Sequence, residues 1–288
     1  MNEFEYKQLT SIKEVCRQLK ESSRYTKVLA GGTDLFIQMN NGKIQPDCLI
    51  DIKNLNLSYI IREENGTTRI GATTNLNMIM ESNVIMEDYI CLSETARDMA
   101  AVQVRNRATI GGNLCNASPS ADMAPPLIAM DAYVNIISYD NERKVPLSQF
   151  FVGPGKTDLK EGEILAEILL PPPYARSACV YLKQKRNAMD LATIGVAVNI
   201  SLDDNEILNS VKIVLGAVGP TPISSIDAAN YLLGKKINEN IIKEAAKIAA
   251  QEAKPISDIR ASKEYRIYMT DALVEEAMVI VWDKIRQR

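Results

Sequence analysis

The stretch Ala108–Asp122, ATIGGNLCNASPSAD, decides what this chain can be. Three β-favouring residues, Ala108, Thr109 and Ile110, run into Gly111 and Gly112, and a tract of small polar residues follows (Asn113, Cys115, Asn116, Ser118, Ser120). Beyond Asp122 comes an apolar, helix-like run, Met123–Met130. Paired glycines permit positive φ and let a bulky ligand approach the backbone closely. Unpaired N–H groups and small hydroxyls beside a helix start suit an anion such as a pyrophosphate. Taken alone, however, Gly-Gly more often marks a tight turn before a helix.

A second stretch shifts that balance. Lys27–Ala30 is a β-favouring run that stops at Gly31-Gly32-Thr33-Asp34, and Leu35–Asn40 continues as a short helix closed by Asn41-Gly42. Two loops of the form strand, Gly-Gly, helix in one chain can converge on one diphosphate. Pro125 and Pro126 would break a helix interior, but the first turn has no intrahelical use for its N–H groups. With Asp122 as N-cap, the two prolines fall at the third and fourth helical positions. Asp122 then either caps its own helix or points at a ligand. Arg105 and Arg107 either complement a phosphate or sit on an exposed strand face, and the basic cluster Lys183–Arg186 reads first as a solvated strand end.

Composition removes whole classes of function. A chain of 288 residues has room for about two domains at roughly 100–200 residues each. A net charge of −3 is unlike the basic footprint of a nucleic-acid binder. No apolar run reaches the roughly 18 residues of a membrane span, and Met1–Leu9 alternates like a strand rather than a signal peptide. The five cysteines (Cys16, Cys48, Cys91, Cys115, Cys179) are scattered without a C-x-x-C pair. That pattern implies reduced thiols, a cytoplasmic setting, and no metal or iron–sulfur cluster bound by this chain alone. Histidine is absent, which excludes a Ser-His-Asp or Cys-His pair, a His-ligated zinc and a His-ligated haem. No catalytic residue stands out, so any chemistry would rest on a bound cofactor.

The remaining pattern is mixed. Phe4–Tyr6 and Cys48–Ile52 read as strands, and Ser11–Glu14 as a capping box opening a helix Ile12–Lys20. Tyr59–Arg62 and Thr67–Gly71 form a hairpin across Asn65-Gly66. Leu76–Met80 and Tyr89–Ala100 have helical spacing, and Asp131–Ser138 reads as a strand. The end of FFVGPGKT (150–157) resembles a phosphate-binding Walker loop, but Phe150 stands where its first glycine belongs. No G-x-G-x-x-G follows any strand, which counts against a Rossmann site. Pro171-Pro172-Pro173 reads as a stiff linker. Beyond it, strands Ala178–Lys185, Ala192–Leu202 and Ser210–Val218 precede helices Ile226–Leu233, Glu239–Ala253 and Ser262–Ile285, an α+β order.

With VLAGGTDL (28–35), QVRNRATIGGNLCNASPSAD (103–122) and the proline-separated C-terminal part side by side, the chain resembles the FAD-binding (medium) subunit of molybdenum hydroxylases, the group of xanthine and carbon monoxide dehydrogenases. FFVGPGKTDLKEGEIL, AMDLATIGVAV, GPTPI and RASKEYR are most similar to bacterial xanthine dehydrogenase FAD subunits. The resemblance implies an α+β fold: a two-lobed FAD-binding domain of the vanillyl-alcohol-oxidase (PCMH) type, followed by a CO-dehydrogenase-flavoprotein-like C-terminal domain. The domains would span 1–174, with lobes of about 1–56 and 57–174, and 175–288. Val28, Leu29, Ala30, Gly31, Gly32, Thr33, Asp34 and Leu35, with Thr109, Ile110, Gly111, Gly112 and Asn113, would hold the FAD pyrophosphate. Met99 matches an apolar flavin contact, Asp122 an acidic one, and Leu165 and Lys183 two further FAD contacts. A Lys183 cation near the ring would favour reduced flavin.

Molybdopterin and [2Fe–2S] clusters would belong to large and small partner subunits, and electrons would leave through FAD to NAD or another acceptor. The benzoyl-CoA-reducing branch inserts a cysteine-rich loop for an extra cluster, whereas here Asp122 runs straight into MAPPLIAMDAYV, so none is expected. The alternatives are a carbon monoxide dehydrogenase-like or N-heterocycle hydroxylase subunit, a stand-alone flavoprotein with Cys115 as its one candidate covalent link, or a redox-inert assembly subunit.

Overall fold

Three larger sheets and a two-stranded ribbon, Phe151–Gly153 with Lys156–Thr157, are formed by the chain, which the computed structural model describes over residues 3–187 and 189–287. The first is parallel and three-stranded, with Cys48–Asp51 between Glu5–Gln8 and Thr26–Leu29. Parallel neighbours need crossover connections, and the helix Ile12–Glu21 supplies one, packing Val15 and Cys16 under the fully buried central strand. Ser11 is its N-cap, but the hydroxyl makes no capping bond, so the expected capping box does not form.

The second sheet is antiparallel and five-stranded, in the order Ile60–Arg62, Thr68–Gly71, Ile164–Leu170, Tyr133–Ile137, Glu142–Pro146. Its centre, Ile164–Leu170, is buried along its whole length although Glu167 interrupts the apolar run. A buried carboxylate is costly unless paired, and Glu167 accepts from Arg69 Nε (2.7 Å), Tyr59 Oη (2.8 Å) and Asn135 Nδ2 (2.8 Å). Short helices cover this sheet and enclose the largest core, which includes Ile70, Leu92, Leu127 and Phe150.

The third sheet is antiparallel, with Ser177–Gln184, Ile194–Leu202, Leu208–Gly216 and Ile223–Ser224 in chain order. Asp203 Oδ1 closes the acidic turn by accepting from Asn205 N (2.9 Å) and Ile207 N (2.8 Å). Two long helices lie on it. In Glu239–Glu252 the buried side chains are Ile242, Ala245, Ala246, Ala249 and Ala250, a helical stripe. Lys263–Arg286 buries Leu273, Val274, Ala277, Met278, Val281 and Ile285 on the same period. Fully burying one large apolar side chain stabilises by roughly 1.5–3 kcal/mol, so these stripes seat both helices firmly. Arg266, 2 % exposed, donates to Thr193 O (2.5 Å), Ala217 O (2.9 Å) and Asp258 Oδ1 (2.8 Å), tying the long helix to two strand ends.

The second and third sheets are joined by more than the Pro171–Pro173 connection. The helix Ala124–Ala129, buried at every residue, packs against strands of the third sheet. Asn199 Nδ2 donates to Ala129 O (2.9 Å), Ala217 N to Pro119 O (2.9 Å), and Lys284 pairs with Glu94 (3.0 Å). Among the described residues no helix is long and apolar enough to cross a membrane.

Candidate functional site

The two glycine loops do converge. They face each other across a cleft of about 490 Å³, within the usual size of a small-molecule or cofactor site. Of the residues singled out from sequence, Val28, Ala30, Gly31, Gly32, Thr33, Asp34, Leu35, Thr109, Gly111, Gly112, Asn113 and Leu165 line it. Leu29 and Ile110 are buried neighbours that hold the loops from behind. The loops touch through backbone at Gly31, where a Cβ would sit 2.1 Å from Arg107 O; the second loop is likewise pressed onto Ala72, where a Cβ on Gly111 would sit 2.6 Å from Ala72 O. Only glycine allows that approach.

The two loops nevertheless differ in kind. Only Gly32 takes a positive φ, +78°, where the first strand turns into the helix Leu35–Asn40. The second pair lies inside a helix, Ile110–Cys115, capped by Thr109, whose hydroxyl accepts from Gly112 N (3.0 Å). No strand precedes it. Thr109 forms one isolated bridge with Asn75, and Val102–Arg105 is a helical turn. The expected strand–turn geometry fails because Thr109 is a strong N-cap and Ala72 and Thr74 offer carbonyls in place of a strand partner.

A donor count sharpens the contrast. Ile110 N donates to Thr74 O (3.0 Å), Gly111 N to Ala72 O (2.9 Å) and Asn113 N to Thr109 O (2.9 Å), so with Gly112 N on the Thr109 hydroxyl every N–H from Ile110 to Asn113 is spent within the chain. By contrast, the N–H groups of Gly31, Gly32, Thr33 and Asp34 donate to no acceptor among the described residues. The first loop therefore supplies the donors, and the second a close surface. Asn113 adds a buried Oδ1 with no partner in the cleft wall. Asp34 makes no capping bond, and burial pushes its carboxyl above its ordinary value.

A third wall was missed from sequence. Gly155, Thr157, Leu159, Lys160, Glu161, Gly162, Glu163 and Ile164 line the side facing the first sheet. Gly162 (φ +78°) packs against Lys20 of the helix Ile12–Glu21, and Gly155 N donates to Ala117 O (2.9 Å). The glycines of GPGKTDLKEG were the available signal, set aside with the Walker motif they fail to complete.

Met99, Asp122 and Lys183 do not line this cleft but gather at the junction with the third sheet. Asp122 caps nothing: the helix Ala124–Ala129 has Met123 at its N-cap, and Pro125 and Pro126 follow its first residue. The Asp122 carboxylate, 4 % exposed, instead accepts from Tyr181 Oη (2.9 Å) and Lys183 Nζ (2.9 Å). Lys183 also donates to Asp98 O (3.0 Å), and Lys185 pairs with the Asp98 carboxylate. Lys183 is thus no solvated strand end, nor a lone cation, since two carboxylates and two ammonium groups balance there. Burial first, and then Asp122, hold the Tyr181 phenol well above its ordinary range, so it stays a neutral donor. Arg105 is consumed locally, bonding Met99 O and Ala100 O at 2.8 Å each, and so fixes the turn behind Asp98. Cys115 lines the cleft, but burial pushes its thiol up to about 12, leaving almost no thiolate for a covalent link.

An elongated dinucleotide suits these features: free donors for a diphosphate, an orphaned Asn113 oxygen, and loop glycines packed too closely for any side chain. Residues 2–173 match the family described as FAD binding domain in molybdopterin dehydrogenase, and residues 180–281 match the CO dehydrogenase flavoprotein C-terminal domain. Together they make this an FAD-binding protein of α+β class with an appended α+β unit.

The chain is 34 % identical over 267 residues to a putative xanthine dehydrogenase FAD-binding subunit of Escherichia coli (strain K12), covering 90 % of this chain and 91 % of that one. It is 33 % identical over 276 residues to a glyceraldehyde dehydrogenase medium chain of Sulfolobus acidocaldarius, covering 96 % and 97 %. A solved structure of carbon monoxide dehydrogenase from Hydrogenophaga pseudoflava superposes with a TM-score of 0.95 at 32 % identity, covering 98 % of each chain. This chain belongs to the family of FAD-binding medium subunits of molybdenum hydroxylases.

Proposed function

We propose that this chain is the electron-delivering subunit of a xanthine dehydrogenase-like molybdenum hydroxylase. A large molybdopterin subunit would hydroxylate a purine such as xanthine, a small [2Fe–2S] subunit would relay the electrons, and NAD or another acceptor would collect them at this chain. Bound FAD supplies the exchange between single-electron and hydride chemistry. The chain's own residues hold and orient it. The free N–H groups of Gly31–Asp34 bind the diphosphate, Gly31 keeps the two loops in contact, Gly111 seats the second loop on Ala72, and the junction around Asp122, Tyr181 and Lys183 borders the ring. Units 1–174 and 175–288 act as cofactor-holding and junction-closing domains.

The observation that carries this reading is the division of labour between the loops, one rich in free donors and one saturated, in a lining without histidine. Such a site binds and orients a redox group and offers no acid–base machinery of its own for a substrate. The motifs FFVGPGKTDLKEGEIL and RASKEYR, and likeness to the E. coli subunit, favour xanthine over other substrates.

The test is purification of the untagged complex from its native host. FAD, molybdenum and iron should elute in constant ratio with xanthine-dependent NAD reduction. A yellow protein free of molybdenum and iron would refute the complex, and an intact complex inert to xanthine would refute the substrate.

A further inference from the structure

We propose that Arg143 is a positioning residue that makes this cleft selective for a dinucleotide over a mononucleotide flavin. Arg143 lies on the edge strand Glu142–Pro146, outside the cleft. Its guanidinium grips the third wall from behind: Nε and Nη2 reach Glu163 Oε1 (2.8 Å) and Oε2 (2.7 Å), Nη1 reaches Asp158 Oδ2 (2.7 Å), and Nη2 reaches Asp158 O (2.7 Å). Glu163 in turn accepts from Lys160 N (2.7 Å), so one side chain sets the path of the loop from Asp158 to Glu163. Bidentate guanidinium–carboxylate pairs are the directional kind of ion pair, which lysine cannot reproduce. The Asp158 and Glu163 carboxyls are both held below their ordinary values, with hydrogen bonds from Lys160 and Arg143 on the first and from Arg143 on the second as the leading causes.

That loop lines the cleft together with Leu19, Thr26 and Lys27 of the first sheet and its helix, whereas no residue of the third sheet lines it. The cofactor's ends are therefore separated. With the diphosphate at Gly31–Asp34 and the ring toward the junction near Lys183, the adenosine half lies between the first sheet and the loop that Arg143 holds. FMN has no such half. Loosening the wall should weaken FAD and leave FMN untouched. The inference rests on the FAD assignment of the cleft and goes beyond it, because none of the lining contacts involves Arg143.

The experiment compares full-length wild type, Arg143→Met and Arg143→Lys, stripped of flavin, by fluorescence titration with FAD and with FMN and by ADP competition. The expected result is an FAD dissociation constant raised about tenfold or more in both variants. ADP should weaken in parallel and FMN should stay within about twofold, so that the FAD-to-FMN preference collapses. A merely structural role would weaken both flavins together, and that outcome overturns the proposal, as does an unchanged preference. Should Arg143→Met fail to fold, Arg143→Lys, which keeps the charge but loses the fork, is decisive by the same ratio. A wild-type chain that takes up no FAD would instead sink the assignment of the cleft, and this inference with it.

Discussion

Replacing Gly31 by alanine should pry apart the two loops that form the cleft. The new Cβ would stand 2.1 Å from Arg107 O, 2.8 Å from Arg107 C and 3.1 Å from Ala108 Cα, all backbone atoms that no rotamer change can move. Close carbon–oxygen contacts settle near about 3.3 Å, so the loops must separate by roughly 1.2 Å. Overpacking of this kind costs about 1–3 kcal/mol, and at about 2–4 °C per kcal/mol for a domain of this size the melting point should fall several degrees. The same displacement would stretch an N–H···O bond from the first loop to a ligand beyond useful length. FAD affinity should then fall about tenfold or more, roughly 1.4 kcal/mol. Flavin-stripped protein titrated with FAD, with the quenching of flavin fluorescence as readout, measures this directly. Gly153→Ala is the control, because nothing lies within 4 Å of its added Cβ and its φ is not positive. If Gly31→Ala binds FAD within about twofold of wild type, the two-loop clamp is wrong.

Two further outcomes follow from the buried charges. Lys183→Met leaves the Asp122 carboxylate buried with Tyr181 as its remaining donor, and breaking a buried pair in this way costs about 3–5 kcal/mol; urea unfolding should show that loss, and Lys183→Met combined with Asp122→Asn should cost clearly less than the sum of the two single changes. Additive costs would mean that the pair is not coupled. For Glu167, burial opposes ionisation, yet hydrogen bonds from Arg69, Tyr59 and Asn135 prevail and hold its folded value below the ordinary one. A depressed carboxylate contributes stability that is present above its unfolded value, about 4.3, and is lost as pH falls through the folded value. Unfolding free energy should therefore drop in acid below that point, and Arg69→Met should flatten the drop; equal slopes in both proteins would contradict it.

Much of this molecule follows from short-range pattern. The short β-favouring apolar runs of Cys48–Asp51 and of the strands after residue 176, and the 3.6-residue stripes of the two long C-terminal helices, are local properties, and the elements formed where those patterns run. The strand Ile164–Leu170 was harder to see. Its central Glu167 looks like surface until Arg69, from another strand, neutralises it. Lys183 is a similar case, a charge in a basic run whose partner Asp122 lies 61 residues away.

The sequence by itself carried the paired glycine loops and the absence of histidine, which together point to a bound cofactor rather than to acid–base chemistry of the chain's own. What each loop does was decided by tertiary structure alone. Gly31-Gly32 and Gly111-Gly112 are the same dipeptide, yet Ala72 O and the Thr109 hydroxyl consume the donors of the latter, while no group among the described residues does so for the former. Hydrogen-bond capacity depends on which groups the rest of the chain brings within 3 Å, and the dipeptide does not encode that. The third wall, braced by Arg143 from outside the cleft, exists for the same reason.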